Sequence, residues 1–382
     1  GIQVLRTRRQ VPTARAGLRL PAESAARVCV IVPAHNEGAC IADLARSLIA
    51  QDQPNLSCVF VLDRCTDDTR GVIERTWAQA DRPTAKPSLE IIEIDSCPPD
   101  WSGKSHALWQ AVNQSRAAQA SDVLLFVDAD TWLDHGLVRA TVALLRQQGS
   151  RMLSLLSTLT HDRWFEVIVQ PAASMELMRQ YPIIRANARD TDRRRAFANG
   201  QFILIERSAY FELGGHESIR GEVLEDVLLA RRCQTANMPV SLLLSDGLLR
   251  CRMYDSFEAF ARGWRRIYGE SANRKPTRLR SQAARVRLLG TVLPLVALAA
   301  VSAGIARLDG PHPHLASITL WLGGLGSAAY WLVVLLIYHT GRSPLWTAPG
   351  FPIGCWITGS ILRRSAADLD AGRPIIWAGR EY

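Results

Sequence analysis

From Leu288 to Ala306 the chain reads LLGTVLPLVALAAVSAGIA, 19 residues without a charge, and Ile318 to Tyr338 gives 21 more. Each run matches the ~20 apolar residues a helix needs to cross a hydrocarbon layer. One such run also suits a buried core helix. Two, joined by a short loop containing Gly310-Pro311-His312-Pro313, predict a membrane hairpin (288–306, 318–338). Nine basic residues and one acidic over 262–287 precede the first run and place that side in the cytoplasm. A third apolar stretch, 345–362, is interrupted by Pro349, Gly350 and Pro352 and then meets Arg363-Arg364. It is expected to be re-entrant or interfacial, followed by a cytoplasmic tail. The chain thus reads as a multi-pass protein of the inner (plasma) membrane with a cytoplasmic body.

The 382 residues carry a net charge of +9, but unevenly. Residues 1–27 are net +5, 28–261 net −6 and 262–287 net +8. An acidic body with basic flanks argues against nucleic acid as partner, because such a site needs its positive field on the working face. The eight cysteines show no CxxC and no finger-like Cys/His spacing, which excludes a disulfide framework or zinc module and fits a reducing compartment. No secretory-leader pattern shows near the amino end.

In 255–270, Phe257, Phe260, Trp264, Ile267 and Tyr268 form one helical stripe, with Arg262, Arg265 and Arg266 around it. Directly before a membrane span, this predicts a basic amphipathic helix in the interface plane. Trp264 and Arg265 would then face the membrane or an acceptor. A core-facing helix is the alternative.

Between 28 and 160, apolar runs at 28–33, 58–62, 89–94, 123–128 and 152–156 read as strands. Helical patterns at 38–51, 67–79, 104–119 and 134–148 lie between them. The alternation predicts an α/β fold with a parallel sheet covered on both faces, and ligands outside the C-terminal strand ends. Those ends carry Glu37, Asp63, Asp128 and Asp130. Acidic residues suit a diphosphate site if a divalent cation bridges the two. Neither GxGxxG nor GxxxxGK[ST] occurs, so a standard dinucleotide site and a P-loop are excluded. Asp67 reads as a helix cap. A lone Asp-x-Asp carries little weight, since turns collect Asp; its conjunction with the other strand ends carries more.

The stretches VCVIVPAHNE (28–37), VLDRCTDDT (61–69), WSGKSHAL (101–108), LLFVDAD (124–130) and NGQFILIERSAYFELGGHESIRGEVLEDVLLARR (199–232) resemble a family 2 glycosyltransferase of the GT-A (Rossmann-like) nucleotide-diphospho-sugar transferase fold. Within it the chain is similar to membrane-bound members associated with hopanoids and carotenoid glucosylation, which share a terminal W-x-G-R-x-Y. The resemblance implies a basic flank 1–27, a catalytic domain 28–254, an interfacial helix and linker 255–287, and a membrane region 288–382.

It further implies roles. Pro33, Ala34 and Glu37 would border the nucleotide, Asp63 would contact the base, usually uracil, and Lys104 would lie near the nucleotide. Asp128 and Asp130 match the DXD pair, Asp130 being the usual ligand of Mg2+ or Mn2+. Asp226 matches the catalytic base, with Glu225 beside it. Glu225 is equally a first-turn acid favoured by the helix dipole. Gly214-Gly215 would supply a backbone turn next to the donor sugar, and His216 is either an acceptor contact or a turn residue.

Polymer-extruding members carry Gln-x-x-Arg-Trp after the Glu-Asp pair. Here Arg262-Gly263-Trp264-Arg265-Arg266 lacks that Gln, which favours transfer of a single sugar, UDP-glucose being the expected donor, over the alternative of a processive polysaccharide synthase. A silent membrane scaffold is a third reading, opposed by intact Asp128, Asp130 and Asp226. The apolar segment Trp164–Ile184 falls where the family's acceptor region lies, and with 255–270 would suit a lipid or polyprenoid hydroxyl.

Overall fold

The computed structural model describes residues 11–373 except 24, 82–85, 189–194 and 223, together with the backbone of 376–377 and 380–381. The first ten residues of the basic flank and the side chains of the terminal W-x-G-R-x-Y lie outside the described residues. The chain divides into two compact units. One takes in the described residues up to Leu159 and Tyr181–Met253; the other takes in Thr160–Gln180 and the described residues from Tyr254 on.

The first unit is built on β1 (Val28–Ala34), α1 (Ile41–Ile49), β2 (Leu56–Asp63), α2 (Thr69–Gln79), β3 (Ser88–Ile94), α3 (Gly103–Gln114) and β4 (Val123–Val127). It continues through β5 (Thr131–Leu133), α4 (Leu137–Gln147), β6 (Met152–Leu156), β7 (Thr158–Leu159), β8 (Phe202–Glu206), α5 (Glu225–Thr235), β9 (Val240–Leu244) and β10 (Leu249–Cys251). The central strands are apolar on both faces because both are covered; every residue of β4 is buried. In α1 the buried residues Ile41, Leu44, Ala45, Leu48 and Ile49 recur at helical spacing and turn one face to the sheet. The helix expected over 104–119 is broken at Ser115, whose side chain accepts from Ala118 and caps a separate short helix.

The main sheet runs β3-β2-β1-β4-β8-β6-β9. The five strands expected between 28 and 160 run parallel to one another, while β8, from beyond that range, enters between two of them antiparallel to both β4 and β6. A parallel neighbour requires a crossover that returns the chain to the far edge. Here the chain enters β8 at the edge where β4 ends, with Phe202 opposite Val127. Residues just before β8 are thereby delivered to the same edge as Asp128. A small second sheet, β5-β10-β7, sets Cys251 opposite Thr131, immediately after the Asp-x-Asp pair.

The second unit is helical: a helix at Gln170–Gln180, then α6 (Phe257–Ser271), α7 (Pro276–Arg287), α8 (Leu293–Ala306), α9 (Pro313–Thr340) and α10 (Phe351–Asp370). A π-helical turn, Leu288–Val292, joins α7 to α8. Phe260, Trp264 and Tyr268 of α6 are buried in one cluster with Phe165, Val169, Leu279 and Phe351, and the Tyr268 hydroxyl donates to the Ala173 carbonyl at 3.0 Å. The interfacial reading of this stripe is therefore corrected. Trp264 faces the unit's own core, and Arg265 pairs with Asp368 at 3.0 Å. An apolar stripe has the same spacing whether it meets lipid or protein.

The two long apolar helices differ from α6. Most of their apolar side chains are exposed, Leu295, Leu298, Trp321, Leu322 and Leu325 among them. A core helix of a water-soluble protein would bury these side chains. Where α8 and α9 meet, small residues let the backbones approach: a Cβ on Gly323 would stand 2.8 Å from the Val301 nitrogen, and one on Gly304 would stand 2.7 Å from the Leu320 nitrogen. Among the described residues two helical spans are long and apolar enough to cross a membrane: Pro276–Ala306, which joins α7, the π-helical turn and α8, and α9. In the third stretch, Pro349 and Gly350 lie in a 3-10 turn and Pro352 in the first turn of α10, where its missing N–H costs nothing. The stretch therefore opens a continuous helix that buries Phe351, Cys355, Thr358 and Leu362.

Candidate active site

The site grows from the C-terminal edge of the main sheet. Ser102 caps α3, its Oγ accepting from the Ser105 N–H at 3.3 Å, so that Lys104 falls in the first turn of the helix. At the end of β2, Asp63 is buried and clamped by both Nε and Nη2 of Arg64, at 2.8 and 2.7 Å. A Cβ on Gly103 would come within 2.8 Å of Asp63 Oδ2, so the helix start closes on this pair only because residue 103 is glycine.

Lys104 is the hub. Its Nζ lies 2.7 Å from Asp128 Oδ1 and 2.7 Å from Glu225 Oε1. Burial works against its charge, but Asp128 and Glu225 outweigh that and hold the ammonium well above its ordinary pKa. Glu225 faces the same contest: burial would protonate it, and Lys104 reverses this, so its pKa is lowered. Both Glu225 and Asp226 lie in the first turn of α5. The first-turn reading of Glu225 thus describes its place, while its side chain is committed to Lys104.

Asp226 differs from its neighbour. Its Oδ2 accepts from the Gly200 N–H at 2.8 Å and its Oδ1 from the Val227 N–H at 2.7 Å. Burial and then the Glu225 charge push it up to about 7, against Lys104 and the two N–H groups. A carboxylate poised there accepts a proton readily at neutral pH. Gly200 was not singled out by sequence; its signal was the NGQF stretch just before a strand. A Cβ on it would stand 3.0 Å from Lys104 Nζ and 3.3 Å from Asp226 Oδ2.

A second acidic group lies around the Asp-x-Asp turn. Asp130 is pushed up to about 7 by burial first, then by Asp128 and Glu37. The Cys251 thiol lies close enough to work against that rise, while Oδ1 is buried with no hydrogen-bond partner. Glu37 is raised in turn, mainly by burial, and accepts from the Cys40 thiol at 3.1 Å. Cys251 carried no local signal; only the β5–β10 pairing brings it here. Crowded carboxylates with an orphaned oxygen fit a divalent cation. Among the described residues no three His, Cys, Asp or Glu are grouped to hold one alone. An open site completed by ligand phosphates is the arrangement magnesium-type cations favour.

Pro33 and Ala34 finish β1, pairing with Val61 and Leu62, and the Cys65 thiol donates to the Ala34 carbonyl at 3.5 Å. Asp67 accepts from the Gly38 and Thr69 N–H groups at 2.9 and 3.1 Å, tying two loops together at the start of α2. One expectation is corrected. His216 is 2% exposed, bonded through Nδ1 to the Tyr210 hydroxyl at 2.9 Å and edge-on to Phe126, so it is a packed turn residue and no acceptor surface. Burial lowers its pKa to about 4. Gly215 has φ 54° and is enclosed: a Cβ would meet Trp109 at 2.6 Å and Tyr210 at 2.7 Å. Its bareness lets Trp109 and Tyr210 pack against the Gly214-Gly215 turn.

Comparison with known proteins bears on what this edge is. Residues 25–252 match the model of "Glycosyltransferase like family 2". A 4,4'-diaponeurosporenoate glycosyltransferase of Staphylococcus aureus (strain MRSA252) is 27% identical over 238 residues, 62% of this chain and 59% of the relative. The counterpart from strain USA300 is 26% identical over the same span. The chain thus matches under two thirds of these relatives' length. Among solved structures, a mannosyltransferase of Pyrobaculum calidifontis in complex with GDP-Man and Mn2+ superposes with a TM-score of 0.50 at 17% identity, covering 97% of this chain and 95% of that one. The mixed sheet, with its acidic edge, is therefore a GT-A fold, and the chain belongs to glycosyltransferase-like family 2.

Proposed function

We propose that the chain is an inverting, divalent-metal-dependent glycosyltransferase. It moves one glucose from UDP-glucose to the hydroxyl of a membrane lipid or polyprenoid. The observation that carries this reading is the pairing, at one sheet edge, of a raised carboxylate, Asp226, with a separate crowded pair, Asp128 and Asp130. Inversion is an in-line displacement at the anomeric carbon: the acceptor oxygen bonds to it as the bond to the diphosphate oxygen breaks. Asp226 takes the acceptor proton, held in place by the Gly200 and Val227 N–H groups. Glu225 and Lys104 orient the base and keep a positive charge beside the phosphates. Asp63, Glu37, Pro33 and Ala34 border the nucleotide. A Mg2+ or Mn2+ held by Asp130 and Asp128 would neutralise charge on the leaving diphosphate.

An apolar acceptor is supported by the Staphylococcus relatives, named 4,4'-diaponeurosporenoate glycosyltransferases, and by the two exposed apolar helical spans of this chain. The basic run 262–287 supports a cytoplasmic catalytic unit at the inner membrane. The test is mass spectrometry of lipid extracts from cells with and without the gene. A single-hexose lipid species lost with the gene is expected; a ladder of polymer lengths, or no change in the lipids, would overturn the reading.

A further inference from the structure

Along the helical unit, arginines meet carboxylates. Arg285 pairs with Glu176 at 2.7 Å, Arg265 with Asp368 at 3.0 Å, Arg373 with Asp368 at 2.7 Å, and Arg280 with Asp370. Arg287, Arg363 and Arg364 have no carboxylate partner among the described residues. Arg287 is nevertheless held in place. Its Cζ lies 4.3 Å over the Trp356 ring, and its Nη2 donates to Ser360 Oγ at 2.7 Å. Its Nε is buried with no hydrogen-bond partner. A Cβ on Gly359 would stand 2.7 Å from that Nε, so the glycine is what lets the guanidinium lie against α10.

Gly359 and Ser360, against which Arg287 lies, stand four and three residues before Arg363 on α10, so Arg363 projects from the same helix face. Two like charges with no counter-ion repel, and an unpaired buried donor is costly. The repulsion vanishes if an anion with several acceptor oxygens sits between them, and a guanidinium fork matches a phosphate. The neighbours of this pair say which anion. Leu288 and Leu289, directly after Arg287, are 56% and 51% exposed, and Ile353 and Trp356 of α10 are 59% and 50% exposed. The pair stands where the exposed apolar surface begins, the level of a lipid headgroup.

We propose that Arg287, Arg363 and Ser360 form a binding site for the phosphate of an anionic phospholipid, with Trp356 as its aromatic wall. Leu288, Leu289 and Ile353 border the acyl chains. The site rests on the reading of α8 and α9 as membrane-spanning.

The full chain is reconstituted in nanodiscs of phosphatidylcholine with a minor fraction of phosphatidylglycerol, and retained phosphatidylglycerol is counted by native mass spectrometry. Each arginine removed should cost ~5-fold in retention, so R287Q/R363Q should lose most of it while R278Q, at an exposed arginine of α7, keeps it. If the Gln pair does not fold, R287K/R363K must still weaken retention, because lysine keeps the charge and lacks the fork. Equal retention by either folded pair variant and the unaltered chain overturns the site. Displacement of the lipid by inorganic phosphate overturns the headgroup assignment. Failure of the unaltered chain to enter the nanodisc overturns the membrane reading as well, a result distinct from entry without retained lipid.

Discussion

Asp226 and Asp130 stand at one sheet edge, both pushed up to about 7 chiefly by burial, yet their surroundings differ. Asp226 has both oxygens satisfied by backbone N–H groups. Asp130 has one oxygen without a partner and like charges, Asp128 and Glu37, as neighbours. A satisfied, raised carboxylate is prepared to exchange a proton, whereas a crowded, partly orphaned one is prepared to meet a cation. Lys104 keeps the two apart, pairing with Asp128 on one side and Glu225 on the other.

Substitutions can break that contrast. Asp226→Asn should lower turnover by roughly 10²–10⁴-fold, the usual worth of a positioned base, with donor binding retained in a calorimetric titration. Full activity would remove Asp226 from the base role. Asp130→Asn should abolish the response to added Mn2+ in a donor-binding titration, and chelation should then cost the variant nothing further. A variant still rescued by metal would move the cation elsewhere.

Milder changes sharpen the comparison. Gly200→Ala puts a Cβ 3.0 Å from Lys104 Nζ and 3.3 Å from Asp226 Oδ2, tighter than a settled contact allows. A drop of about tenfold is expected, of the size a modest misplacement of reacting groups can produce, seen as lower kcat with KM little changed. Glu225→Gln removes the charge that raises Asp226. The rate should rise with pH through a midpoint near 7 and level off above it in the unaltered chain, because the base must be ionised; in the variant the midpoint should shift toward acid. The sign also applies to stability. A carboxyl raised from 3.8 to about 7 in the folded state stabilises at low pH, and that contribution is lost as pH climbs through 7. Thermal unfolding followed across pH 5 to 8 should show Asp226→Asn losing less than the unaltered chain.

Much of this edge was legible in the chain. Glu37, Asp63, Asp128 and Asp130 follow apolar runs that became β1, β2 and β4, since a strand buried on both faces must end where polar residues begin. The partners of Asp226 and Asp130 were less so. Gly200 arrives on an antiparallel strand that apolar patterning does not orient, and Cys251 arrives on a short strand paired across more than a hundred residues.

Sequence by itself determined the α/β alternation, the acidic strand ends and the two uncharged apolar runs, because each is a local pattern of period, burial or length. Tertiary structure alone decided the remainder. It turned the α6 stripe and His216 inward, closed Gly215 under Trp109 and Tyr210, and set Lys104 between two acids distant in the chain. An apolar or charged side chain declares what kind of neighbour it needs. Which neighbour it receives is fixed only when the backbone brings distant segments together.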